Sequence, residues 1–315
     1  MISVAMCTYN GEAYLREQLQ SIVDQSWKNL DIVIVDDCST DGTVALLREF
    51  AAVDNRIRVF ENPENLGFIR NFSRAIQECQ ADYIALADQD DVWLPDKLAT
   101  LMAEIGDNLL IYSRVSLIDG DGNPLDGTFP RVKRIEGHCP LSLIFDNCVT
   151  GHACLLRKEL VDRALPFPVS LLAHDQWLAI AAAASAELKA SDQVLSLYRL
   201  HQRNTVFGWG KDKVRQAKVE KNRVKLERTL GLCESLLLSG LLSEADSALL
   251  RKMHSLLQQN ERCLYNRPLH SFLDQHQADF LGLYRQPRKA LPKICRGLRY
   301  YRLADGVAGF LQQKS

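Results

Sequence analysis

The sequence predicts an α/β fold, a mostly parallel sheet flanked by helices, with a C-terminal helical extension. Two observations predict it. Short apolar runs alternate with three- and four-residue apolar spacings through the first third of the chain, and after Lys211 the composition shifts to Lys, Arg, Glu and Leu. Residues 2–6, 32–35, 57–60 and 83–87 are the apolar runs, and each reads as a buried strand. Between them, Leu15, Leu19 and Ile22 share one helical stripe, Val44, Leu47 and Ala51 a second, and Phe68, Phe72, Ile76 and Cys79 a third. Strand and helix alternating in this way build βαβ units. Residues 109–113 supply a fifth strand. Residues 119–128, rich in Gly, Asp, Asn and Pro, form a hairpin or loop. This is not a calcium loop, because its sixth and twelfth positions are Pro124 and Pro130. Residues 141–160 mix both signals, residues 177–188 read as a helix and residues 194–200 as a strand. The expected division is a first domain at 1–208 and a helical region at 209–315.

A formal net charge of -1 gives no overall field to gather nucleic acid, so none is expected as a partner. Nine cysteines, an odd number without a CxxC pair, argue against a disulfide framework or a zinc ribbon and fit a reducing cytosol. The N-terminus has no basic leader, and the longest apolar stretch, residues 177–186, falls short of the roughly 20 residues that span a bilayer. A cytoplasmic protein is the expectation.

In an open parallel sheet, ligands bind beyond the carboxyl ends of the strands. Those ends carry Thr8-Tyr9-Asn10-Gly11, then Asp36-Asp37-Cys38-Ser39-Thr40-Asp41-Gly42, then Glu61-Asn62, and finally Asp88-Gln89-Asp90-Asp91. Adjacent carboxylates repel, and a bound Mg²⁺ or Mn²⁺ bridging to a diphosphate relieves that cost. Asp36 and Asp37 have two readings: accepting hydrogen bonds from a ribose or base, or capping the next helix. No GxGxxG follows the first strand and no GxxxxGK[ST] occurs, which excludes the usual dinucleotide and P-loop folds.

With Asn65-Leu66-Gly67, Val92-Trp93, Thr150-Gly151-His152, His174-Asp175-Gln176-Trp177 and Tyr198-Arg199-Leu200-His201, these segments resemble the family 2 glycosyltransferases of the Rossmann-like GT-A fold. The motifs run in the family's order over residues 2 to about 206. The resemblance implies that Thr8, Tyr9, Glu12 and Asp37 hold the base and ribose of a nucleotide-sugar donor, with Asp36 in support, Asp88 beside them and Arg70 touching the nucleotide. It implies that Asp90, with Asp91 and His201, holds a divalent metal, Mg²⁺ or Mn²⁺. Asp175 matches the catalytic base, and Gly151, His152, His174 and Trp177 line the acceptor side. The reaction implied is a single inverting displacement, in which Asp175 takes the acceptor proton.

Other readings stand beside these roles. Asp175 also fits an N-cap, His201 a structural histidine and His174 a packed one. The spacing of His152 to Cys148 and Cys154 fits no common zinc site. In the tail, Arg285, Arg288, Lys289, Lys293, Arg296, Arg299 and Arg302 interleave with Tyr284, Leu291, Ile294, Leu298, Tyr300, Tyr301 and Leu303. That pattern suits either a helix on an anionic membrane surface, near a lipid-linked saccharide acceptor, or a helix packed on the protein. The motif forms look most like rhamnosyltransferases of O-antigen or capsule assembly, which makes dTDP-L-rhamnose the leading donor. The competing functions are a metal-dependent nucleotidyltransferase, whose basic glycine-rich loop is missing, and a catalytically inactive carbohydrate-binding scaffold.

Overall fold

A computed structural model of the chain describes residues 1–130, 132–168, 171, 173–201, 216–259 and 266–298. Contacts divide it into two units, Met1–Cys139 with Asn147–Gly208 and Pro140–Asp146 with Trp209–Ser315. The boundary expected at 208/209 lies outside the described residues, as do the helical reading of 211–215 and the tail from Arg299 onward.

The first unit opens with β1 (Ile2–Thr8), α1 (Glu12–Val23), β2 (Leu30–Asp36), α2 (Thr43–Val53), β3 (Ile57–Glu61), α3 (Phe68–Gln77) and β4 (Tyr83–Ala87). After these come β5 (Val92–Trp93), α4 (Lys97–Glu104), β6 (Leu110–Ile118), β7 (Pro124–Phe129), β8 (Cys154–Arg157), α5 (Lys158–Ala164), α6 (His174–Ala184) and β9 (Leu188–Arg199). Among the described residues the strands form one sheet in the order β3-β2-β1-β4-β8-β6-β9-β5, with β7 paired to β6. The first four strands are parallel, as the βαβ pattern requires. The remainder is mixed: β8 runs antiparallel between β4 and β6, while β6 and β9 are parallel.

The core sits under this sheet. Ile2, Val4, Met6, Ile32 and Ile34 are fully buried against Leu15, Leu19, Ile22 and Leu47 of the flanking helices. Each such side chain contributes about 1.5–3 kcal/mol by leaving water. Because this burial fixes register, Thr8 pairs with Asp36, Asp36 with Glu61 and Met6 with Ala87. The polar residues that follow these strands therefore meet at one edge.

β9 differs from the periodicity. It begins at Leu188, six residues before the expected start, because it pairs along β6 through two register shifts that leave Asp192, Gln193 and Val194 exposed. β9 then pairs antiparallel with β5, Val92 opposite Leu197 and Trp93 opposite Ser196. That pairing carries residues 198–201 to the loop after β4.

The second unit contains α7 (Gln216–Ser239), α8 (Glu244–Gln258), α9 (Arg267–Gln275), α10 (Gln277–Phe280) and α11 (Pro287–Gly297). Side-chain caps start two of them: Ser243 accepts from the Asp246 amide and Asn266 from the Leu269 amide. Leu236, Leu250, Met253, Leu257, Leu269, Leu273 and Leu291 form its interior, and Ser142 of the inserted segment donates to the Asp279 carbonyl at 2.6 Å. No helix among the described residues is long and apolar enough to cross a membrane.

Candidate active site

The edge formed by the first two strands is held by its own carboxylates. Asp36, 1% exposed, accepts from the Thr8 hydroxyl at 2.8 Å, the Ser39 hydroxyl at 2.6 Å and the Ser39 amide at 2.8 Å. Asp37 accepts from Asn62 at 2.7 Å and from the amides of Leu66 and Gly67, at 2.8 and 2.9 Å, where α3 begins. Glu12 accepts from the Gly42 amide at 2.9 Å, ahead of α2. Asp36 thus holds the turn after β2, while Asp37 and Glu12 take the amides just ahead of α3 and α2; neither Asp36 nor Asp37 caps α2, the next helix. Tyr9, Glu12 and Arg70 are the members of the expected nucleotide-binding set that stand exposed. Gln89 pins the Tyr9 peptide from both sides, accepting from its amide at 2.8 Å and donating to its carbonyl at 3.0 Å. Gly11 lies so close to that carboxamide that an added Cβ would overlap it.

The four residues after β4 take four different roles. Asp88 is pushed up to about 7, first by burial and then by the charges of Asp91, Asp90 and Asp175. Asp90 is also raised, by burial and by Asp91, and its Oδ2 lies 2.7 Å from Nε2 of His201. The His201 ring packs on Tyr14, with centroids 4.6 Å apart. Asp91 is a correction to the expected metal set. It is fully buried, its Oδ2 lies 2.8 Å from Nδ1 of His152, and its Oδ1 accepts from the Arg199 amide at 3.1 Å. It faces inward and anchors other parts of the site.

Among the described residues no three His, Cys, Asp or Glu side chains converge to cage an ion by protein alone. Asp90 and His201, side chains 16% and 11% exposed, supply one hard oxygen and one imidazole nitrogen. Two protein ligands fit an ion whose other positions belong to a diphosphate.

Asp175 stands in the first turn of α6, partly buried and near enough that its charge helps raise Asp88. Burial raises its carboxyl to about 6, against the stabilising Gln176 amide at 2.6 Å and Gly151 amide at 3.2 Å. Gly151 and His152 belong to a tight turn, Gly151–Ala153. Burial opposes charge on His152, but the Asp91 carboxylate beside it outweighs that and raises its pKa. His174 stacks on Phe72 at 4.0 Å, with Phe68 and Phe167 at its edges, and burial lowers it to about 3, so it is neutral. His152 and His174 are thus packed side chains rather than open acceptor contacts. Trp177 is a further correction: its indole is 2% exposed and donates to the Ala164 carbonyl at 3.0 Å, inside the α5–α6 packing.

Two buried basic side chains were given no role by the sequence, Arg199 within its motif and Lys97. Arg199, 1% exposed, donates to the Asp90 carbonyl at 2.9 Å, the Gly120 carbonyl at 3.2 Å and the Glu17 carboxylate at 2.5 Å. Lys97 lies over the Trp93 ring at 3.5 Å and donates to the His152 carbonyl, and burial pulls it down to about 7. Their one sequence signal is a charge in an otherwise apolar stripe. Asp91, His152, Lys97 and Gly151 together link the Asp88-Gln89-Asp90 loop to Asp175.

Carboxylates beyond a parallel sheet edge, a polar rim and a fixed carboxylate near them define a GT-A site. The description of Glycosyl transferase family 2 matches residues 3–163, and the chain belongs to that family. It is 32% identical over 165 residues to TuaG of Bacillus subtilis, a protein named for teichuronic acid biosynthesis, covering 52% of this chain and 62% of TuaG. It therefore spans less than two thirds of that relative. It is 26% identical over 216 residues to the dTDP-rhamnosyl transferase RfbG of Shigella flexneri, covering 64% of this chain and 73% of RfbG. Residues 1–349 of S. aureus TarS, solved with UDP-GlcNAc, share the fold with a TM-score of 0.60 at 18% identity, covering 96% of this chain and 92% of that one. The mannosyltransferase PcManGT of Pyrobaculum calidifontis, solved with GDP-Man and Mn²⁺, shares it with a TM-score of 0.55 at 17% identity, covering 94% and 84%.

Proposed function

We propose that this chain is an inverting glycosyltransferase, moving a sugar from a nucleotide-sugar donor to an acceptor hydroxyl with Asp175 as the base. The observation that carries the reading is Asp175 itself. Its carboxylate is held by two backbone amides at a helix start, and its raised pKa of about 6 suits proton abstraction near neutral pH. As the acceptor oxygen bonds to the anomeric carbon, its proton passes to Asp175 and the bond to the diphosphate oxygen breaks. Asp90 and His201 would hold Mg²⁺ or Mn²⁺, which when bound neutralises charge on the departing diphosphate. Gln89 fixes the Tyr9 peptide beside the donor, and Arg199 fixes the Asp90 backbone. Holding donor and acceptor in line supplies much of the rest of the acceleration.

For the donor, dTDP-L-rhamnose is the first choice, supported by the name of the Shigella relative. The acceptor proposed is a saccharide of a surface polysaccharide, lipid-linked and met at the cytoplasmic face of the inner membrane. The basic side of α11 supports that contact by charge alone, because its apolar residues Leu291 and Ile294 are buried within the unit. The test is release of nucleoside diphosphate from dTDP-rhamnose, UDP-glucose, UDP-GlcNAc and GDP-mannose, with Mn²⁺ and with EDTA. Release from one donor, abolished by EDTA, is the expected result. Failure to bind any donor by calorimetry with Mn²⁺ present would overturn the reading.

A further inference from the structure

The helical unit holds a second charged feature, and its sign is opposite to that of the catalytic edge. A concavity of ≈ 490 Å³ opens on this unit, lined by Lys225 of α7, by Tyr284 and Arg285 ahead of α11, by Lys289 and Lys293 of α11, and by Asp146. Lys289 and Lys293 are four residues apart on one helix, so their ammonium groups reach the same side. Arg285 precedes the start of α11, whose partial positive charge adds to theirs.

Elsewhere on this chain exposed guanidinium groups sit against carboxylates, as in Arg16 with Glu49, Arg48 with Glu61 and Arg163 with Glu159. Here four cations share one concavity with a single carboxylate, and that one already takes a hydrogen bond from the Tyr284 hydroxyl. No ion pair or side-chain hydrogen bond holds any of the four cations among the described residues. Like charges gathered this way repel, and a bound anion removes the repulsion. Ala290 and Ile294 of α11 also line the concavity, but Leu291, Ile294 and Cys295 are buried in the unit, and the exposed side chains that the helix presents there are Lys289 and Lys293.

We infer that this concavity binds a phosphate-bearing ligand, a diphosphate ester above all. A phosphate monoester carries about −1.5 to −2 charge at pH 7, and a diphosphate more, which matches four cations less one carboxylate. Arg285 offers the planar fork suited to phosphate oxygens, and the lysines offer mobile point charges. The volume leaves room for the group esterified to the phosphate. The inference stands on this unit alone, and its test does not use turnover, so it and the transfer reading fail separately.

The test titrates inorganic pyrophosphate into the full chain in EDTA. Without metal, the carboxylates of the catalytic edge repel the anion. Lys289→Gln/Lys293→Gln and, on a different helix, Lys225→Gln are compared with wild type; all are exposed sites where glutamine is as good a helix former. Binding to the wild type, weakened about tenfold or more in the double variant and falling with added salt, is the expected result. Vesicles containing phosphatidylglycerol, against phosphatidylcholine alone, identify the source. Sedimentation that pyrophosphate reverses and the double variant loses assigns the phosphate to a lipid. Pyrophosphate binding without sedimentation assigns it to a soluble ligand. A wild type that binds neither, or variants that bind as wild type does, overturns the inference.

Discussion

Replacing Arg199 with methionine removes the one charge that ties the Asp90 backbone to the rest of the first unit. The guanidinium is 1% exposed and reaches the Asp90 carbonyl, the Gly120 carbonyl, the Glu17 carboxylate and the face of Tyr14, 4.9 Å away. Breaking a buried charge pair by removing one partner costs about 3–5 kcal/mol. Glu17 is 58% exposed and rehydrates when abandoned, which lowers that figure. The Asp90 carbonyl is left without its donor, at about 1–3 kcal/mol. Together these place the loss at about 2–4 kcal/mol, a large share of the 5–15 kcal/mol typical of a domain. Urea unfolding measures it as a lower midpoint at unchanged slope. Arg199→Lys keeps the charge but not the fork and should fall between. A loss under about 1 kcal/mol with unchanged donor turnover would refute the idea that Arg199 sets the loop.

Other consequences follow from the same geometry. Turnover should fall as pH drops through about 6, because Asp175 must be ionised to accept a proton and burial has raised its pKa to that value; a pH profile of kcat flat down to 5 would contradict the assignment. The stability sign is the reverse: a raised folded pKa favours the protonated carboxyl, so the Asp175 contribution is present at acid pH and lost as pH rises through about 6. Lys97→Met should leave stability within about 1 kcal/mol, since an apolar side chain replaces a buried amine whose charge burial disfavours, its pKa pulled down to about 7. Turnover in that variant should nonetheless fall about tenfold, as the turn bearing Gly151 loses its grip on Asp175, and equal turnover would remove Lys97 from the site. Mn²⁺ with donor should raise the Tm of wild type, and Asp90→Ala should lose that increment while keeping its own fold; a full shift in the variant would remove Asp90 from the ligand set.

Of the four parallel strands, β1, β2 and β4 were legible as apolar runs buried on both faces and β3, half-buried at the sheet edge, by its Ile, Val and Phe; the helices between them were legible because their stripes hold the period. β8 was not: four residues, Cys154–Arg157, between a tight turn and α5 carry no period, and their partners on β4 and β6 lie far off in sequence. The carboxylates after β2 and β4 were equally legible, but not which way each one faces. Asp91 turns inward because His152 waits 61 residues later, a pairing no local spacing encodes. Trp177 illustrates a signal that was present and unused. Two residues along a helix turn a side chain by about 200°, so Trp177 had to leave the face that Asp175 occupies. Nothing in the sequence beside Arg199 and Lys97 shows that the sheet and the Trp93 ring close over them.

The most direct measurement compares wild type with Asp175→Asn on the donor that the panel identifies. Asparagine keeps the shape and accepts one of the two amide hydrogen bonds through its single oxygen, but its NH2 can accept neither the other amide nor the acceptor proton. Donor affinity by calorimetry should stay within about twofold while turnover falls at least about a hundredfold, the lower bound for a lost general base. Turnover retained at the wild-type rate would contradict the account and move the base to another residue of the site.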